Sequence, residues 1–430
     1  MKHIIKLVFS ALLLAVAVGS CRDDIPELNR PADYESPSAV AMFEGFWTGM
    51  NNNYVFWAHD PTDWDQIYRE YKPKFEALDD AVSEERMNMD AAVQEIRTYF
   101  IEMTTNLIDG HYALMFGDLL GGSGFSPSGA RHAKEPGYHT GDNMIDYIYN
   151  DLSTHYLKPG ALRGQAIFQD DVFGAVTGKL DVPGKNIPYF WLSGFRLTAL
   201  LFLAEPLTDY KDTNPVDVVR SFFNTILQEP NVDGIVIDVR SNGGGMTTDL
   251  DILMGSILVG KPFTYGSNRT KMGDGRLDFG PEVPLVVQPY ANLQKDVDES
   301  KKFPTNPHPT TKPIVVLADV NSVSCAELTT MGIASLPNGY FVGERTWGGH
   351  GALYNNERAS VWKNAGEFST LHLKLVYTPF QQFTYQDGQV YEGTGFPPRP
   401  ELEVKYDGAA LATGKDKQLE KAIEVILSAQ

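Results

Sequence analysis

Two side chains that could act as nucleophiles, Ser324 and Cys325, stand side by side in the stretch NSVSCAEL. The strand-type pattern PIVVLADV precedes them and the helix-type pattern CAELTTMGIASL follows, so both lie at a strand-to-helix turn. The free N–H groups and the dipole of a helix N-terminus would stabilise an alkoxide or an oxyanion there. The turn alone leaves three interpretations open: Ser324 as nucleophile, Cys325 as nucleophile, or Ser324 as a simple helix N-cap.

A run of three glycines, Gly243 to Gly245, is the second element that could take part in chemistry. It follows the strand pattern VDGIVIDVR and precedes the helical pattern TTDLDILMGSILV. Glycines let the backbone approach a ligand closely, so the N–H of Gly244 or Gly245 could donate to an oxyanion. The alternative is a tight turn without a ligand. The run is not a Rossmann motif and lacks the lysine of a P-loop, so phosphate binding is disfavoured.

The elements that must position these turns alternate between strand and helix from residue 189 onward. Ligand sites in such sheets lie at the carboxyl ends of the strands, where both turns fall. We therefore predict an α/β domain over residues 189–430. Residues 39–114 have helical periodicity and predict an N-terminal helical subdomain. Residues 115–188 are rich in glycine and loop residues and predict an irregular insert with some strands.

The beginning of the chain, MKHIIKLVFSALLLAVAVGSC, has the charged start and apolar stretch of an export signal. One interpretation is a secretory signal cleaved near Ser20. The ending VGSC resembles a bacterial lipobox, which implies a lipoprotein signal peptide over residues 1–21 with lipid on Cys21. Residues 22–38 are polar and contain proline, which favours a tether. The resemblance implies a lipid-anchored protein of the cell envelope, expected in the outer membrane and facing either the periplasm or the surface.

Composition excludes several classes of function. The formal net charge is −19 and no cluster of lysine and arginine stands out, which argues against nucleic acid as a partner. The nine histidines show no HExxH spacing and there is no CxxC pair, so we expect no metal and no cofactor. If Cys21 carries lipid, only Cys325 remains and no internal disulfide can form.

Together, GIVIDVRSNGGG and KPIVVLADVNSVSCAELTTMGIASLPNGYFVGERTWGGHG resemble the two core motifs of the C-terminal (tail-specific) processing serine peptidases. The resemblance implies a crotonase/ClpP-like α/β catalytic domain that cleaves peptide or protein substrates. It assigns Ser324 as the nucleophile. It also implies that the N–H of Cys325, with that of Gly244 or Gly245, binds the oxyanion.

The general base departs from the bacterial processing branch, which uses a Ser–Lys dyad. Gly349 stands where that lysine is expected, and RTWGG instead resembles the tricorn-core branch, whose base is a histidine from the N-terminal region. The resemblance therefore points to His111 in NLIDGHYAL, because a neutral imidazole can take the serine proton and return it to the leaving amine. His350, next to Gly349, is the rival base.

The third partner implied by the resemblance is Glu392 in DGQVYEGTGFPPRPELEV, which would orient the imidazole directly, through water or through a second hydroxyl. Arg399 replaces the aspartate of the family pattern at the end of this segment. Many relatives also carry a PDZ domain, and no clear PDZ carboxylate-binding loop is visible in the insert.

Two other functions compete with a peptidase. One is a catalytically inactive envelope protein that binds peptides or glycans on an inherited peptidase fold. The other is a crotonase-like acyl transferase, which is disfavoured because no phosphate-binding basic residues stand near the glycines.

Overall fold

The computed structural model describes residues 38–203, 206–229, 231–296, 302–306, 308–353, 367–368 and 373–429. The predicted signal peptide, Cys21 and nearly all of the predicted tether lie outside these residues. No helix in the part of the chain that the structure describes is both long enough and apolar enough to span a membrane.

The described helices are α1 Ala39–Asn53, α2 Trp64–Ser83, α3 Met89–Thr104, α4 Pro127–His132, α5 Gly141–Asn150, α6 Leu152–Tyr156, α7 Pro215–Gln228, α8 Thr248–Ile257, α9 Tyr290–Leu293, α10 Cys325–Ala334, α11 Gly408–Leu411 and α12 Lys417–Ser428. Short 3-10 segments at Asp118–Leu120 and Pro400–Leu402 and a π-helical segment at Ala199–Leu203 complete them. The described strands are β1 Ala113–Phe116, β2 Gly124–Phe125, β3 Leu162–Phe168, β4 Asp171–Lys179, β5 Pro188–Leu192, β6 Thr208–Asp212, β7 Ile235–Asp238, β8 Phe263–Thr270, β9 Val283–Val287, β10 Ile314–Ala318, β11 Gly339–Gly343, β12 Glu367–Phe368, β13 Leu373–Tyr377 and β14 Gln381–Tyr385.

A seven-stranded mixed sheet in the order β11-β10-β7-β5-β4-β3-β6 carries the site. Strands β11, β10, β7 and β5 are parallel, and β4, β3 and β6 continue the sheet in antiparallel pairs. Two smaller sheets, β12-β13-β1-β2 and β14-β8-β9, flank it. The α/β fold class predicted from the sequence is confirmed, with antiparallel strands added to the expected parallel ones.

Helices cover both faces of this sheet because its central strands are apolar on both sides. Ile235 and Ile237 face a core shared with helices α7, α8 and α10. Val236, between them, faces a second core that α5 and α12 close. This three-layer arrangement brings the ends of β7 and β10 to one edge of the sheet, where the turns that follow them meet.

Helix α7 begins with a local capping signal. The Asn214 side chain accepts a hydrogen bond from the N–H of Val216, and Pro215 occupies the first helical position. Helices α1, α2 and α3 lie in the N-terminal part of the chain. They pack around an aromatic cluster in which Phe43 stacks on Phe75 at 4.9 Å and Phe46 meets Phe100 edge-on at 4.8 Å.

Residues 115–188 are more regular than the sequence indicated. They contain helices α4, α5 and α6, and strands β3 and β4 extend the central sheet by pairing with β5 and with each other. The insert is therefore built into the sheet of the catalytic domain. Gly141 lies against Ser241 and Asn321, so the insert also touches both turns of the candidate site.

A buried charge network fastens the C-terminal helix α12 to the central sheet. The Arg240 guanidinium, after β7, lies 2.6 Å from Asp238 and 2.9 Å from Asp416, and it also donates to Gln418. Asp416 caps α12 by accepting the N–H of Leu419. A fully buried arginine is tolerated here because ionic and polar partners surround it.

Candidate active site

Ser324 lies between β10 and α10 in a strained backbone conformation, with φ 57° and ψ −117°. Positive φ is uncommon outside glycine and is associated with functional sites. Its N–H donates to the carbonyl of Gly349 at 2.9 Å and to Glu327 Oε2 at 3.2 Å. Ser324 is partly exposed. These two hydrogen bonds thus fix the backbone of Ser324, while its side chain remains accessible to a substrate.

The neighbouring thiol of Cys325 is poorly suited to be the nucleophile. It is buried, and its Sγ lies 3.3 Å from the carbonyl oxygen of Met246. Burial raises the pKa of the Cys325 thiol well above its ordinary value, so the reactive thiolate is disfavoured. Cys325 instead begins α10, where its N–H needs no partner within the helix.

The glycine turn touches the serine directly, which explains why Gly244 has no side chain. A Cβ on Gly244 would lie 2.6 Å from Ser324 Cβ and 3.1 Å from the Cys325 nitrogen. The φ of Gly244 is also +87°. However, its N–H already donates to Asn242 Oδ1 at 2.8 Å. Among the described residues, the N–H groups of Gly245 and Cys325 have no recorded acceptor, so these two form the better oxyanion pair.

His111 stands at the end of a tight turn that Asp109 organises. Asp109 Oδ1 accepts the N–H groups of His111 at 2.8 Å and Tyr112 at 3.1 Å, and its Oδ2 accepts the Thr378 hydroxyl at 2.8 Å. His111 is partly exposed, and its Nδ1 is buried without a hydrogen-bond partner. Burial lowers the pKa of His111 to about 4, although the charge of Glu327 opposes that shift.

This histidine turn packs backbone to backbone on the GGHG loop. A Cβ on Gly110 would lie 2.3 Å from the Gly348 oxygen and 2.4 Å from Gly349 Cα. Gly349 in turn accepts the Ser324 N–H. Gly110 therefore lies directly beside Gly349. Because His111 follows Gly110 in the chain, the histidine turn adjoins the Gly349 carbonyl that accepts the Ser324 N–H.

Glu392 joins the same two segments through their N–H groups. Its Oε1 accepts from Gly110 at 2.8 Å, and its Oε2 accepts from His350 at 3.1 Å and Gly351 at 3.0 Å. Burial raises the pKa of the Glu392 carboxyl. Among the described residues no hydrogen bond joins Glu392 to the His111 ring, and the two residues are linked through the backbone of Gly110.

Glu327 is a site residue that the sequence interpretation did not single out. It is fully buried in the first turn of α10. Its Oε1 accepts from the Thr346 hydroxyl at 2.6 Å and the Gly348 N–H at 2.8 Å, and its Oε2 accepts from Gly349 at 2.7 Å. Burial acts to raise the pKa of Glu327, but His350 and these donors outweigh it and lower the pKa. The sequence signal that could have identified Glu327 is a glutamate three residues after the serine, on the buried side of the helix.

His350 lies behind the loop, between two carboxylates. Its Nδ1 is 3.9 Å from Glu327 Oε1 and 3.8 Å from Glu392 Oε2, and its side chain is fully buried. Burial acts to lower the pKa of His350, but the two carboxylates outweigh it and raise the pKa. A fully buried ring cannot reach a substrate, so the geometry favours His111 over His350 as the base.

A metal ion could also use part of this cluster. Asp109, His111 and Glu392 each offer one ligand atom, and these atoms lie within 4.8 Å of one another. Both carboxylates already accept backbone N–H groups, which gives them a role in shaping the two turns.

Part of the chain is similar to known peptidases. Residues 207–392 match the model of Peptidase family S41, a segment that includes Ser324, the glycine turn and Glu392. Tricorn protease of Thermoplasma acidophilum is 20% identical over 213 residues, which is 49% of this chain and 15% of that protein. The chain thus spans a small part of the curated relative that it matches.

Two solved structures share the fold across most of the chain. One is described as a candidate peptidase from Parabacteroides merdae, with a TM-score of 0.58, 20% identity, and coverage of 91% of this chain and 98% of that one. The other is mature CPAF, with a TM-score of 0.56, 12% identity, and coverage of 91% and 98%.

Proposed function

We propose that this chain, whose residues 207–392 match the model of Peptidase family S41, is a serine peptidase that hydrolyses peptide bonds with Ser324 as nucleophile and His111 as base. The observation that carries the proposal is the convergence at Ser324. A strained serine lies against Gly244, beside the N–H groups of Gly245 and Cys325, for which no described residue is an acceptor, and its own N–H is tied to the loop on which the histidine turn packs.

The reaction follows from these positions. The Ser324 hydroxyl attacks the carbonyl carbon of the substrate, and its proton passes to His111. Of the two ring nitrogens of His111, Nδ1 is the buried one, so Nε2 is the one that can meet the serine. The N–H groups of Gly245 and Cys325 bind the oxyanion of the tetrahedral intermediate. His111 then protonates the leaving amine, and water enters by the reverse route to release the acyl group.

Two carboxylates hold the segments of the site in position by accepting backbone hydrogen bonds. Glu327 holds the Gly348–Gly349 backbone against α10, and Glu392 holds Gly110 against His350 and Gly351. Neither is assigned a proton-transfer step. This division of roles replaces the simple triad in which Glu392 would bind the imidazole directly.

The finer parts of the proposal concern ancestry and location. We infer a tricorn-like branch from the histidine base, and a lipid anchor on Cys21 that would hold the enzyme at the cell envelope. Its partners there would be peptides or proteins and the membrane, without nucleic acid and without a cofactor.

Hydrolysis of denatured casein by purified protein tests the proposal. Ser324→Ala and His111→Ala should each abolish cleavage, with a loss of roughly a thousand-fold or more. Retained cleavage in His111→Ala together with loss in His350→Ala would move the base to His350. Unchanged cleavage in Ser324→Ala would reject Ser324 as the nucleophile.

A second function is favoured by one specific observation. An imidazole with a pKa of about 4, as in His111, is a weak base. This suits an inactive protein that binds peptides or glycans on the peptidase fold. Such a protein would bind casein fragments equally well with Ser324 or alanine at this position, and it would cleave none of them.

A further inference from the structure

We propose that Arg196 is a specificity residue that binds a carboxylate of the substrate close to the scissile bond. The inference rests on the proposed peptidase function, because it takes Ser324 and the glycine turn as the reactive centre. The carboxylate would be either an acidic side chain or the free carboxyl terminus of the substrate.

The position of Arg196 relative to the nucleophile is fixed by two adjacent glycines. A Cβ on Gly244 would lie 2.6 Å from Ser324 Cβ, and a Cβ on Gly245 would lie 2.6 Å from Nη1 of Arg196. The serine and the guanidinium therefore flank the same two-residue turn. A peptide whose carbonyl oxygen binds at Gly245 would pass beside this positive charge.

Hydrogen bonds to the glycine turn and to Asp249 fix the backbone on both sides of Arg196. The N–H of Phe195 donates to the Gly244 carbonyl at 2.7 Å, and the N–H of Leu197 donates to Asp249 at 2.6 Å. The guanidinium donates to the Phe195 carbonyl at 3.1 Å and lies 5.8 Å from the centre of the Phe168 ring. The Arg196 side chain therefore loses little conformational entropy when it binds a ligand.

The guanidinium retains most of its binding capacity. Arginine has five N–H donors, and the described contacts use one of them. No carboxylate among the described residues forms an ion pair with Arg196, although the chain carries 55 acidic residues. The nearby Asp249 carboxylate instead accepts from Leu197 and Thr198.

The electrostatic field of Arg196 reaches the nucleophile turn. Burial and the charges of Asp249 and Asp251 raise the pKa of the Cys325 thiol, and the charge of Arg196 acts in the opposite direction. The surface beside it is open, since Gly245 is exposed and Met246 is 39% exposed. A half-buried, unpaired arginine next to an open surface fits a planar carboxylate, which it can bind through two parallel hydrogen bonds.

Binding to the Ser324→Ala variant tests the inference without requiring hydrolysis. The probe is a set of synthetic hexapeptides with glutamate or glutamine at one position, each made as the free acid and as the amide, at fixed ionic strength. We expect Ser324→Ala to bind one carboxylate form roughly ten- to a hundred-fold more tightly than its neutral partner. The glutamate–glutamine ratio reports a side-chain carboxylate, and the acid–amide ratio reports a terminal one.

Arginine variants then assign the preference. Adding Arg196→Gln should bring the ratio close to one, and Arg196→Lys should leave an intermediate ratio because the charge remains without the planar fork. Arg220→Gln, which removes an exposed arginine of α7, should keep the full ratio. A ratio near one in Ser324→Ala, or a ratio that Arg196→Gln and Arg196→Lys both leave intact, would overturn the assignment. A carboxylate preference without any peptide cleavage would reject the peptidase proposal and keep the Arg196 site.

Discussion

The backbone of Gly110 lies directly against that of Gly349, so close that a Cβ on Gly110 would be 2.4 Å from Gly349 Cα. This contact brings the histidine turn to the place where a lysine is expected in the processing peptidases that the sequence resembles. A side chain on Gly110 would collide with the loop, whereas a Cβ on Gly349 would make a tight contact of 3.1 Å with Gly110 C. The contact also links His111 to the loop that holds Ser324.

Gly110→Ala should therefore disable the site. The added methyl group must push the histidine turn away from the loop, and misplacement by about 1 Å reduces catalysis roughly a hundred-fold. The measurement is kcat for casein-derived peptides. Gly243→Ala is the matched control, because a Cβ there meets nothing within 4 Å and it should keep normal activity. Equal activity of the two variants would show that the Gly110–Gly349 contact does not position the base.

Glu327→Gln should lower kcat by roughly ten- to a hundred-fold with little change in KM. An amide retains the volume of the carboxylate but replaces one of its acceptor oxygens with a donor, so the Gly348 and Gly349 N–H groups cannot both be satisfied. Steady-state kinetics measures the effect, and thermal unfolding shows whether the variant remains folded. A folded variant with unchanged kcat would remove Glu327 from the positioning role.

The pH profile of kcat/KM should reflect the lowered pKa of His111. A protonated imidazole cannot accept the serine proton, so activity falls as the pH drops through this pKa. Because that pKa is about 4, activity should stay high at pH 6, where an ordinary histidine would be largely protonated. A midpoint at or above pH 6.5 would contradict His111 as the base and favour His350, whose pKa is raised.

Asp416→Asn should reduce stability without affecting catalysis. It removes one charge from the buried Arg240 network, and a hydrogen bond to a charged group contributes about 1.5–3 kcal/mol. Urea unfolding should show a loss in that range, while kcat/KM of the folded protein stays within a few-fold. Asp407→Asn, at an exposed cap beside Lys417, should have a smaller effect on stability. A large fall in kcat at unchanged stability would mean that the network serves the active site.

Elements with local signals could be predicted from the sequence. Helix α7 has its cap and first-turn proline within two residues of each other, and β7 and β10 are apolar enough to be buried wherever they pair. Strands β3 and β4 were harder to place. Their glycines lower strand propensity, and their position depends on pairing with β5.

The site shows the same division between local and distant contacts. Ser324 and the glycine turn follow strands, so position alone made them candidates. The role of Glu327 depends on Thr346, Gly348 and Gly349, which only the fold brings to it. The Asn242 side chain accepts a hydrogen bond from the N–H of Gly244, two residues later in the chain. This is an Asx turn, and the motif RSNGGG already indicates it.

Covalent labelling with a fluorophosphonate probe, mapped by mass spectrometry, tests the central claim most directly. A serine activated by a base and flanked by oxyanion donors forms a stable adduct, whereas an ordinary helix cap does not. We predict modification of the peptide containing Ser324 in the native protein and in Cys325→Ala, which keeps the backbone N–H. We predict its loss in Ser324→Ala and His111→Ala. A folded native protein that leaves Ser324 unlabelled, or labelling that persists in Ser324→Ala, would contradict the proposed nucleophile.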